Sequence, residues 1–214
     1  ALGEPGRGLE RLARGGRHVW RQCSLGPDMR LFFAVFPPPS AQAAAWRAAE
    51  PLRTGRGDPV SWVKPEHMHY TMRFLGEVDD AGLARAGEAM REAAAAHARF
   101  GAALGGFGAF PTARKARVLW IGMLQGAEPM RQLANSLENA LKKQRFERAD
   151  QPFEPHLTLG RVRMPGDWTT RLIDAPTIEA RFQVDRLVLV KSTLGTGGSR
   201  YEPITEATLA GVGV

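Results

Sequence analysis

A four-residue pattern, His-x-Thr followed by an apolar residue, occurs twice in the chain and constrains its fold more than any other feature. One copy starts at His69 and the other at His156, and both lie in apolar stretches typical of β-strands. Side chains two residues apart project from the same face of a strand, so each copy presents an imidazole and a hydroxyl together. We therefore expect a fold that brings the two strands side by side, with the rest of the chain as their scaffold.

The apolar pattern around these copies predicts a mixture of strands and helices. Strands are predicted at 31–36, 60–63, 69–75, 117–123 and 156–162, with a bent or bulged strand at 100–110. Helices are predicted over 41–52, with Ser40 as the cap, and over 80–97 and 128–148. A buried strand at 182–190 and a hairpin partner at 201–209 complete the chain. A long helix adjoins each motif strand, which predicts an α+β fold with two similar lobes facing each other across a groove.

Size and charge limit the classes of protein that remain. The 214 residues, 43% of them hydrophobic, are enough for one large domain or two small lobes with a core. A net charge of +7, from 29 Lys and Arg against 22 Asp and Glu, is compatible with an anionic partner. The single cysteine, Cys23, excludes an internal disulfide and gives no metal-ligand pattern, so a reducing compartment is allowed.

The sequence has neither a membrane span nor a secretion signal that we can identify. No apolar run approaches the roughly 20 residues that a membrane-spanning helix needs, so we expect no membrane partner. We also expect a cytoplasmic protein that is a monomer. The first 28 residues are rich in Arg and Gly. We predict that 1–28 form an N-terminal extension, flexible or added to the natural protein, and that 29–214 form one bilobal domain. A basic arm that binds nucleic acid, or an amphipathic docking helix from Leu9 to Trp20, are the alternatives for the extension.

The duplicated pattern points to acid–base chemistry on a phosphate. His69 and His156, with pKa values normally near neutral, can act as a general acid and a general base. Thr71 and Thr158 can donate hydrogen bonds to phosphate oxygens. Such a site can cleave a phosphodiester with no metal and no nucleophilic side chain. One copy alone would be read as a structural strand histidine, but two copies in a chain of 5 histidines favour a paired site.

Two arginines and a further histidine lie close to the copies. Arg73 extends the face formed by His69 and Thr71, so its guanidinium is a candidate phosphate ligand. Arg161 is off the strict alternation of the second strand, but a bulge at Gly160 would turn it inward. The alternative for both arginines is a solvated strand end. His67 and His69 have the same-face spacing of a metal pair, although no acidic or cysteine cluster accompanies them.

Aromatic residues near these strands are candidates for stacking on a nucleobase, although aromatic residues beside buried strands more often belong to the core. The candidates are Trp62, Phe107, Phe110 and Trp120. The glycine-rich stretches 105–108 and 195–198 lack a following helix, so neither has the setting of a nucleotide-binding loop.

At these residues the chain resembles the two-histidine (2H) phosphoesterase superfamily, in particular the LigT-like RNA 2′,3′-cyclic phosphodiesterases, also called 2′-5′ RNA ligases. The resemblance covers about Met29 to Leu209. The blocks that carry it are the opening strand from Met29 to Pro37, Trp62 to Gly76, Arg117 to Gly122, Phe153 to Arg161, and the closing hairpin with Ser192 to Leu194 and Gly198 to Tyr201. Residues 1–28 have no counterpart, and His67 replaces a polar residue of another type.

The resemblance implies a fold and an activity. The fold would be bilobal, with two pseudo-symmetric lobes of mostly antiparallel sheet, helices outside and a central basic groove. The substrate would be RNA or a nucleotide with a 2′,3′-cyclic phosphate end, and no cofactor or metal would be needed. His156 would act as the base and His69 as the acid, giving a 2′-phosphate, while Thr71, Thr158, Arg161 and Arg73 would bind the phosphate. ATP-independent 2′-5′ ligation, or non-catalytic binding of RNA ends, are the alternative functions.

Overall fold

The strands of the protein form one continuous antiparallel sheet. The computed structural model describes residues 29–53, 60–178, 180–195 and 198–210. Within those residues the strands are β1 (Met29–Val35), β2 (Val60–Trp62), β3 (Tyr70–Val78), β4 (Phe100–Phe110), β5 (Ala116–Gln125), β6 (Leu157–Gly166), β7 (Arg181–Val184), β8 (Arg186–Gly195) and β9 (Gly198–Thr208). Their order across the sheet is β7-β4-β5-β6-β3-β1-β8-β9, and β2 pairs with β6.

Two long helices and several short ones accompany the sheet. They are α1 (Pro39–Ala48), α2 (Glu50–Arg53), α3 (Asp80–Ala95), α4 (Ala127–Lys143) and α5 (Thr169–Ile173), with single 3₁₀ turns at Pro65–His67 and Ala113–Lys115. The side chain of Asp79 caps α3 by accepting a hydrogen bond from the Gly82 amide at 2.7 Å. No helix among the described residues combines the length and apolar character needed to cross a bilayer.

The sheet consists of two halves of four strands each. One half runs β3-β1-β8-β9 and the other runs β6-β5-β4-β7, so each half has a motif strand at its inner edge. The halves meet where β3 pairs with β6, and the structure has one residue pair there, Tyr70 with Leu157. Beyond that pair the strands diverge, and β2 takes the place beside β6 from Val162 to Gly160. The predicted pseudo-symmetric α+β arrangement is confirmed.

Hydrophobic packing differs on the two faces of the sheet. On one face α1, α3 and α4 cover a large core that includes Tyr70 and Leu157. On the other face a small cluster of Phe32, Ala34, Val188 and Val190 lies in the half that contains β3, with Phe36 and Tyr201 packed against it. Side chains alternate along a strand. The residues next to Tyr70 and Leu157, which include both motif histidines, therefore project towards the face that the helices leave open.

The structure corrects several of the predicted boundaries. The cap of α1 is Pro38 rather than Ser40, and the predicted helix 41–52 is divided between α1 and α2. The predicted helix 128–148 ends at Lys143, because Arg145 has a φ of 64° and the chain leaves the helical path there. The predicted strand 182–190 is two strands that belong to opposite halves of the sheet. The predictions for 1–28 lie outside the described residues.

Tyr70 gives a first testable prediction, on stability. Its side chain is fully buried at the junction of the two halves, and its hydroxyl has no hydrogen-bond partner among the described residues. Burial also raises the pKa of Tyr70. A buried hydroxyl without a partner costs about 1–3 kcal/mol of desolvation. We expect Tyr70→Phe to leave the free energy of unfolding unchanged or to raise it by about 1 kcal/mol, measured by urea denaturation. A loss of more than about 1 kcal/mol would show that the hydroxyl is hydrogen-bonded.

Candidate active site

The single strand pair at the junction brings the two copies of the motif together. Because Tyr70 and Leu157 are antiparallel partners, the residues on either side of them lie opposite each other. His69 is therefore set beside Thr158, and Thr71 beside His156. All four side chains project from the open face of the sheet, since the partners in the pair point to the opposite, buried face. The strand pair thus brings an imidazole and a hydroxyl from each strand to one point. This is the arrangement that the repeat predicts.

The same hydrogen bond orients both histidines. Nδ1 of His69 donates to the carbonyl oxygen of His67 at 2.7 Å. Nδ1 of His156 donates to the carbonyl oxygen of Glu154, also at 2.7 Å. In each case the acceptor is two residues earlier in the chain. A carbonyl can only accept, so in the neutral imidazole the proton is on Nδ1 and Nε2 is the acceptor. Both Nε2 atoms are therefore available for proton transfer.

A second layer of contacts holds the backbone around each histidine, and sequence reasoning missed it. Nε2 of Gln42, a buried side chain of α1, donates to the carbonyl oxygen of Met68 at 2.9 Å. Arg131 of α4 pairs with the carboxylate of Glu154 at 2.8 Å, which fixes the residue whose carbonyl orients His156. The Gln within the Ala-rich stretch 41–45 was a usable signal, because a polar residue on a buried face needs a partner.

Aromatic rings give the two histidines different surroundings. The ring of His69 lies 5.0 Å from Phe32, 5.3 Å from Phe36 and 5.2 Å from Tyr201, measured between centroids. Burial under these rings lowers the pKa of His69 to about 4, and the hydrogen bond to the His67 carbonyl offsets only part of this effect. The charges of His67 and His156 lower the pKa further. In the free protein His69 is therefore neutral at pH 7.

His156 is less enclosed than His69. One aromatic ring, that of Phe110, meets it edge to face with the centroids 5.0 Å apart. Phe110 in turn packs against Trp120, the residue opposite Thr158 on β5. The ring of Trp120 lies over Gly108, where an added Cβ would come within 2.3 Å of it. Two of the predicted stacking residues, Phe110 and Trp120, thus form a packed pair, of which Phe110 contacts His156.

A bulge in each motif strand decides which later residue reaches the open face. On β6, Thr158 pairs with Trp120 and Gly160 with Leu119, so Leu159 is the extra residue. The bulge brings Arg161 back to the face of Thr158, and Arg161 lines the groove. Gly160 is needed for a different reason from the one expected. A Cβ there would meet Val60 at 2.8 Å, so the glycine allows β2 to approach closely.

The corresponding bulge on β3 turns Arg73 away from the position predicted for it. Thr71 pairs with Ala34 and Arg73 with Phe33, so Met72 is the extra residue. Arg73 points towards α4, where its Nε lies 2.5 Å from Oε1 of Glu138. The two groups form an ion pair, but the Nε–H bond of Arg73 does not point at that oxygen.

The other two nitrogens of Arg73 are also engaged. Nη1 donates to the carbonyl oxygen of Phe74 and Nη2 to that of Glu147, both at 2.6 Å. Every nitrogen of this guanidinium is thus held by the protein. Arg161, by contrast, has no hydrogen-bond or ion-pair partner among the described residues. Of the two predicted arginines, the one with a guanidinium available to an anion is Arg161.

The site opens into a groove of about 890 Å³ that continues along α4. Five of the six predicted site residues line it, and His69 lies beside it under its three aromatic rings. The lining residues on the strands are Thr71, Met72, Arg73, Phe74, Thr158 and Arg161, and those on α4 and before β6 include Asn135, Glu138, Asn139, Lys142, Arg148 and His156. The groove therefore has room for more than the phosphate group.

His67 packs beside the site and orients His69 through its backbone. Its ring packs against Tyr201 edge to face at 5.5 Å, and its carbonyl orients His69. Among the residues that the structure describes, no three His, Cys, Asp or Glu side chains are grouped to hold a metal ion.

Each half of the pseudo-symmetric antiparallel sheet carries one His-x-Thr motif on a strand, and the two motifs meet at the junction of the halves. This arrangement defines a two-histidine phosphoesterase. The model of the 2′-5′ RNA ligase superfamily matches residues 37–196 of the chain. The protein belongs to this superfamily.

Comparisons with individual proteins agree with this assignment. An RNA 2′,3′-cyclic phosphodiesterase of Thermotoga maritima is 32% identical over 86% of this chain and 97% of its own length. One of Thermus thermophilus is 32% identical over 86% and 91%. A crystal structure of a Thermus thermophilus protein superposes with a TM-score of 0.74 at 30% identity, covering 86% of this chain and all of that one. Escherichia coli LigT, crystallised with 3′-AMP, gives a TM-score of 0.68 at 27% identity over 85% and 98%.

The surroundings of His69 give a prediction on its proton affinity. We expect its ring signals in NMR to titrate with a pKa of about 4 in the free protein, so that the imidazole is neutral above that pH and charged below it. Tyr201→Ala should hydrate the ring and raise this pKa towards the ordinary value near 6.5. Tyr201→Phe keeps the covering ring and is the matched control, with no change expected. A pKa near 6.5 in the unaltered protein would contradict the burial argument.

The two arginines should respond differently to substitution by alanine. Arg161→Ala removes a free cation, so affinity for inorganic phosphate should fall about 10- to 100-fold while stability stays within about 0.5 kcal/mol. Arg73→Ala breaks the contacts that join β3 to α4, so the free energy of unfolding should fall by about 1–3 kcal/mol. Titration calorimetry and urea denaturation of the same samples test both statements. If Arg73→Ala lowers the phosphate affinity as much as Arg161→Ala does and leaves the stability unchanged, Arg73 is a direct phosphate ligand.

Proposed function

We propose that the protein hydrolyses 2′,3′-cyclic phosphate ends of RNA or nucleotides to 2′-phosphates, with the two histidines as acid and base. One observation carries the proposal: both imidazoles are held by the same Nδ1–H hydrogen bond, at 2.7 Å, and neither Nε2 has a hydrogen-bond partner among the described residues. Each has a threonine hydroxyl of the opposite strand beside it. Paired proton transfer at one phosphate is the chemistry that this geometry supports best.

In the proposed reaction, Nε2 of His156 takes a proton from water as the water oxygen attacks phosphorus. The bond between phosphorus and O3′ breaks, and the proton on Nε2 of His69 passes to that leaving oxygen. Thr71 and Thr158 donate hydrogen bonds to the non-bridging oxygens, and Arg161 balances their charge. The product has a 2′-phosphate and a free 3′-hydroxyl. Each positioned acid or base contributes about 10²–10⁴-fold to such a reaction.

The low pKa of His69 places a condition on the acid role. A neutral His69 has one ring proton, and the His67 carbonyl holds it. Proton donation from Nε2 requires the charged ring, which a nearby anion stabilises. The substrate diester has one negative charge, so its binding raises the pKa of His69 and draws a proton into the site. His156, with its more open surroundings, is the better candidate for the base.

The relatives favour hydrolysis over the two alternative functions. The compared proteins of Thermotoga maritima and Thermus thermophilus are named RNA 2′,3′-cyclic phosphodiesterases. Escherichia coli LigT has been crystallised with 3′-AMP and with phosphate, ligands that a nucleotide-phosphate site would accept. Ligation is the same chemistry in reverse, with a 5′-hydroxyl in place of water. Binding of RNA ends without turnover would leave the matched acid–base geometry without a use.

We also propose that the enzyme needs no metal or other cofactor, acts as a monomer and works in the cytoplasm. The imidazoles and the Arg161 guanidinium supply the proton transfer and the charge that a metal would otherwise provide. The site is built from a single chain, so no second copy is required to complete it. A cytoplasmic location would expose the enzyme to RNA ends in a reducing compartment.

The test is turnover of an RNA with a 2′,3′-cyclic phosphate end in EDTA, with separation of 2′- from 3′-phosphate products. The unaltered protein should give the 2′-phosphate at full rate after chelation. His69→Ala and His156→Ala should each lower turnover by about 10²-fold or more, because each removes one proton-transfer group.

His97→Ala is the matched control for this test. His97 bonds to Ser136 at 2.8 Å and is not part of the groove lining, so its loss should leave turnover unchanged. Full activity in either His69→Ala or His156→Ala would sink the two-histidine mechanism. A 3′-phosphate product would show that the leaving oxygen is O2′ rather than O3′. Tight binding of the RNA without turnover would favour the non-catalytic alternative.

A further inference from the structure

We propose that Arg148 binds the phosphate on the 5′ oxygen of the terminal nucleotide, so that the enzyme prefers the end of an RNA strand to a free nucleoside cyclic phosphate. This inference rests on the proposed function, because it places a second phosphate beyond the reacting one. It also gives a role to the ion pair of Arg73 with Glu138, which holds the backbone on both sides of Arg148.

Arg148 lies in the segment between α4 and β6, and both of its neighbours in the chain are held by groove residues. Nη2 of Arg73 donates to the carbonyl oxygen of Glu147 at 2.6 Å. The amide nitrogen of Ala149 donates to Oε2 of Glu138 at 3.3 Å. Arg73 and Glu138 are themselves paired, which joins β3 to α4. One ion pair therefore fixes the backbone before and after Arg148.

The side chain of Arg148 is available to a ligand. It lines the groove, and it has no hydrogen-bond or ion-pair partner among the described residues. A guanidinium can donate two parallel hydrogen bonds to one phosphate. Fixing the backbone of such a cation before the ligand arrives lowers the entropy cost of binding. Arg148 therefore has the position and the chemistry of a preorganised anion ligand.

The charges in the groove lining favour an anion with more than one negative charge. Of the acidic lining residues, Glu138 pairs with Arg73 and Glu154 with Arg131. Asp150 is the acidic lining residue that has no such partner in the described part of the chain. The basic lining residues without a partner there are Lys142, Arg148 and Arg161. The groove thus keeps an excess of positive charge, whereas a cyclic diester has a single negative charge.

The unpaired cations belong to two different walls of the groove. Arg161 is on β6, on the same face as Thr158, where the proposed reaction places the cyclic phosphate. Lys142 is in the last turn of α4, and Arg148 lies beyond the end of that helix. In RNA the next negative charge is the diester on the 5′ oxygen of the same ribose. That diester is the group that the second wall fits.

The test compares adenosine 2′,3′-cyclic phosphate with the dinucleotide ApA that has the same cyclic end and one internal diester. Arg148→Ala should lower kcat/KM for the dinucleotide about 10- to 100-fold, the scale of lost hydrogen bonds to a charged group, and leave the mononucleotide unchanged. Arg148→Lys keeps the charge without the planar fork and should retain part of the preference for the dinucleotide.

A third substrate, 5′-phosphoadenosine 2′,3′-cyclic phosphate, has the 5′ phosphate without the second nucleoside. It should show the same loss as the dinucleotide in Arg148→Ala. A loss confined to the dinucleotide would assign the contact to the second nucleoside and would overturn the phosphate site.

Arg91→Ala is the matched control for these rates. It removes one positive charge from an exposed position of α3 outside the groove lining, so it should change none of them. An equal loss on all three substrates in Arg148→Ala would mean a structural role and would overturn the proposal. An unchanged rate on the dinucleotide would overturn it as well.

The role of the ion pair is tested by removing both partners together, which leaves the net charge unchanged. Arg73→Ala combined with Glu138→Ala should lower the ratio of kcat/KM for the dinucleotide to that for the mononucleotide about 3- to 10-fold, because Arg148 must then be ordered on binding. This ratio does not depend on the folded fraction, since both substrates meet the same enzyme.

Adding Arg148→Ala to this pair of substitutions should bring the ratio to that of Arg148→Ala alone and not below it, because the ion pair acts through Arg148. A ratio well below that of Arg148→Ala alone would show that the ion pair and Arg148 act independently. An unchanged ratio in the variant without the ion pair would also refute the positioning role.

A binding measurement separates this proposal from the proposed function. By titration calorimetry, Arg148→Ala should weaken binding of ApA with a 3′-phosphate about 10- to 100-fold and leave the affinity for adenosine 3′-monophosphate unchanged. If the unaltered protein hydrolyses none of the substrates, the proposed function fails, and the calorimetric difference still decides whether Arg148 binds the second phosphate. Equal affinities of the unaltered protein and Arg148→Ala for the dinucleotide would refute the site under either result.

Discussion

The site depends on one strand pair, Tyr70 with Leu157, where the two halves of the sheet meet. The strands diverge on both sides of this pair, so the contact that sets the two motifs face to face is short. An antiparallel crossing with this register sets each histidine beside the threonine of the other strand. A shift of either strand by one residue would turn the histidine and the threonine of that strand into the core. The buried side chains of Tyr70 and Leu157 hold that register, because exposing them to water would be costly.

The geometry of the site is nearly symmetric, but its electrostatics are not. Both imidazoles use the same hydrogen bond to a carbonyl two residues earlier. The difference lies in the neighbours: three aromatic rings enclose His69, and one ring, that of Phe110, meets His156. Desolvation disfavours the charged imidazole, which lowers the pKa of His69. Tyr201, from the β8–β9 hairpin, is one of the rings that exclude water from His69. In the proposed reaction the bound substrate has to offset this effect before His69 can act as the acid, because the negative charge of the diester favours the charged imidazole.

Local patterns in the sequence predict most of the strands and the motif. They do not predict contacts between residues that are far apart in the chain. The spacing of His69 and Thr71 fixes their common face, but no local signal reveals the bulge at Met72 that turns Arg73 towards Glu138. The apolar run 182–190 reads as one strand, yet the chain passes from one half of the sheet to the other at Asp185. The helical pattern continues past Lys143, although the backbone leaves the helix because the loop to His156 must return to the sheet.

The fifth position of each motif shows how a repeated framework can present two different side chains. Arg161 and Phe74 lie at equivalent backbone positions, each the fifth residue after its histidine and each beyond a one-residue bulge. The bulges, which are common to both halves, set the direction of these side chains, and the residue type alone distinguishes them. The two sides of the groove therefore differ in chemistry, with a guanidinium on one side and a phenyl ring on the other, and this difference needs no change in the sheet.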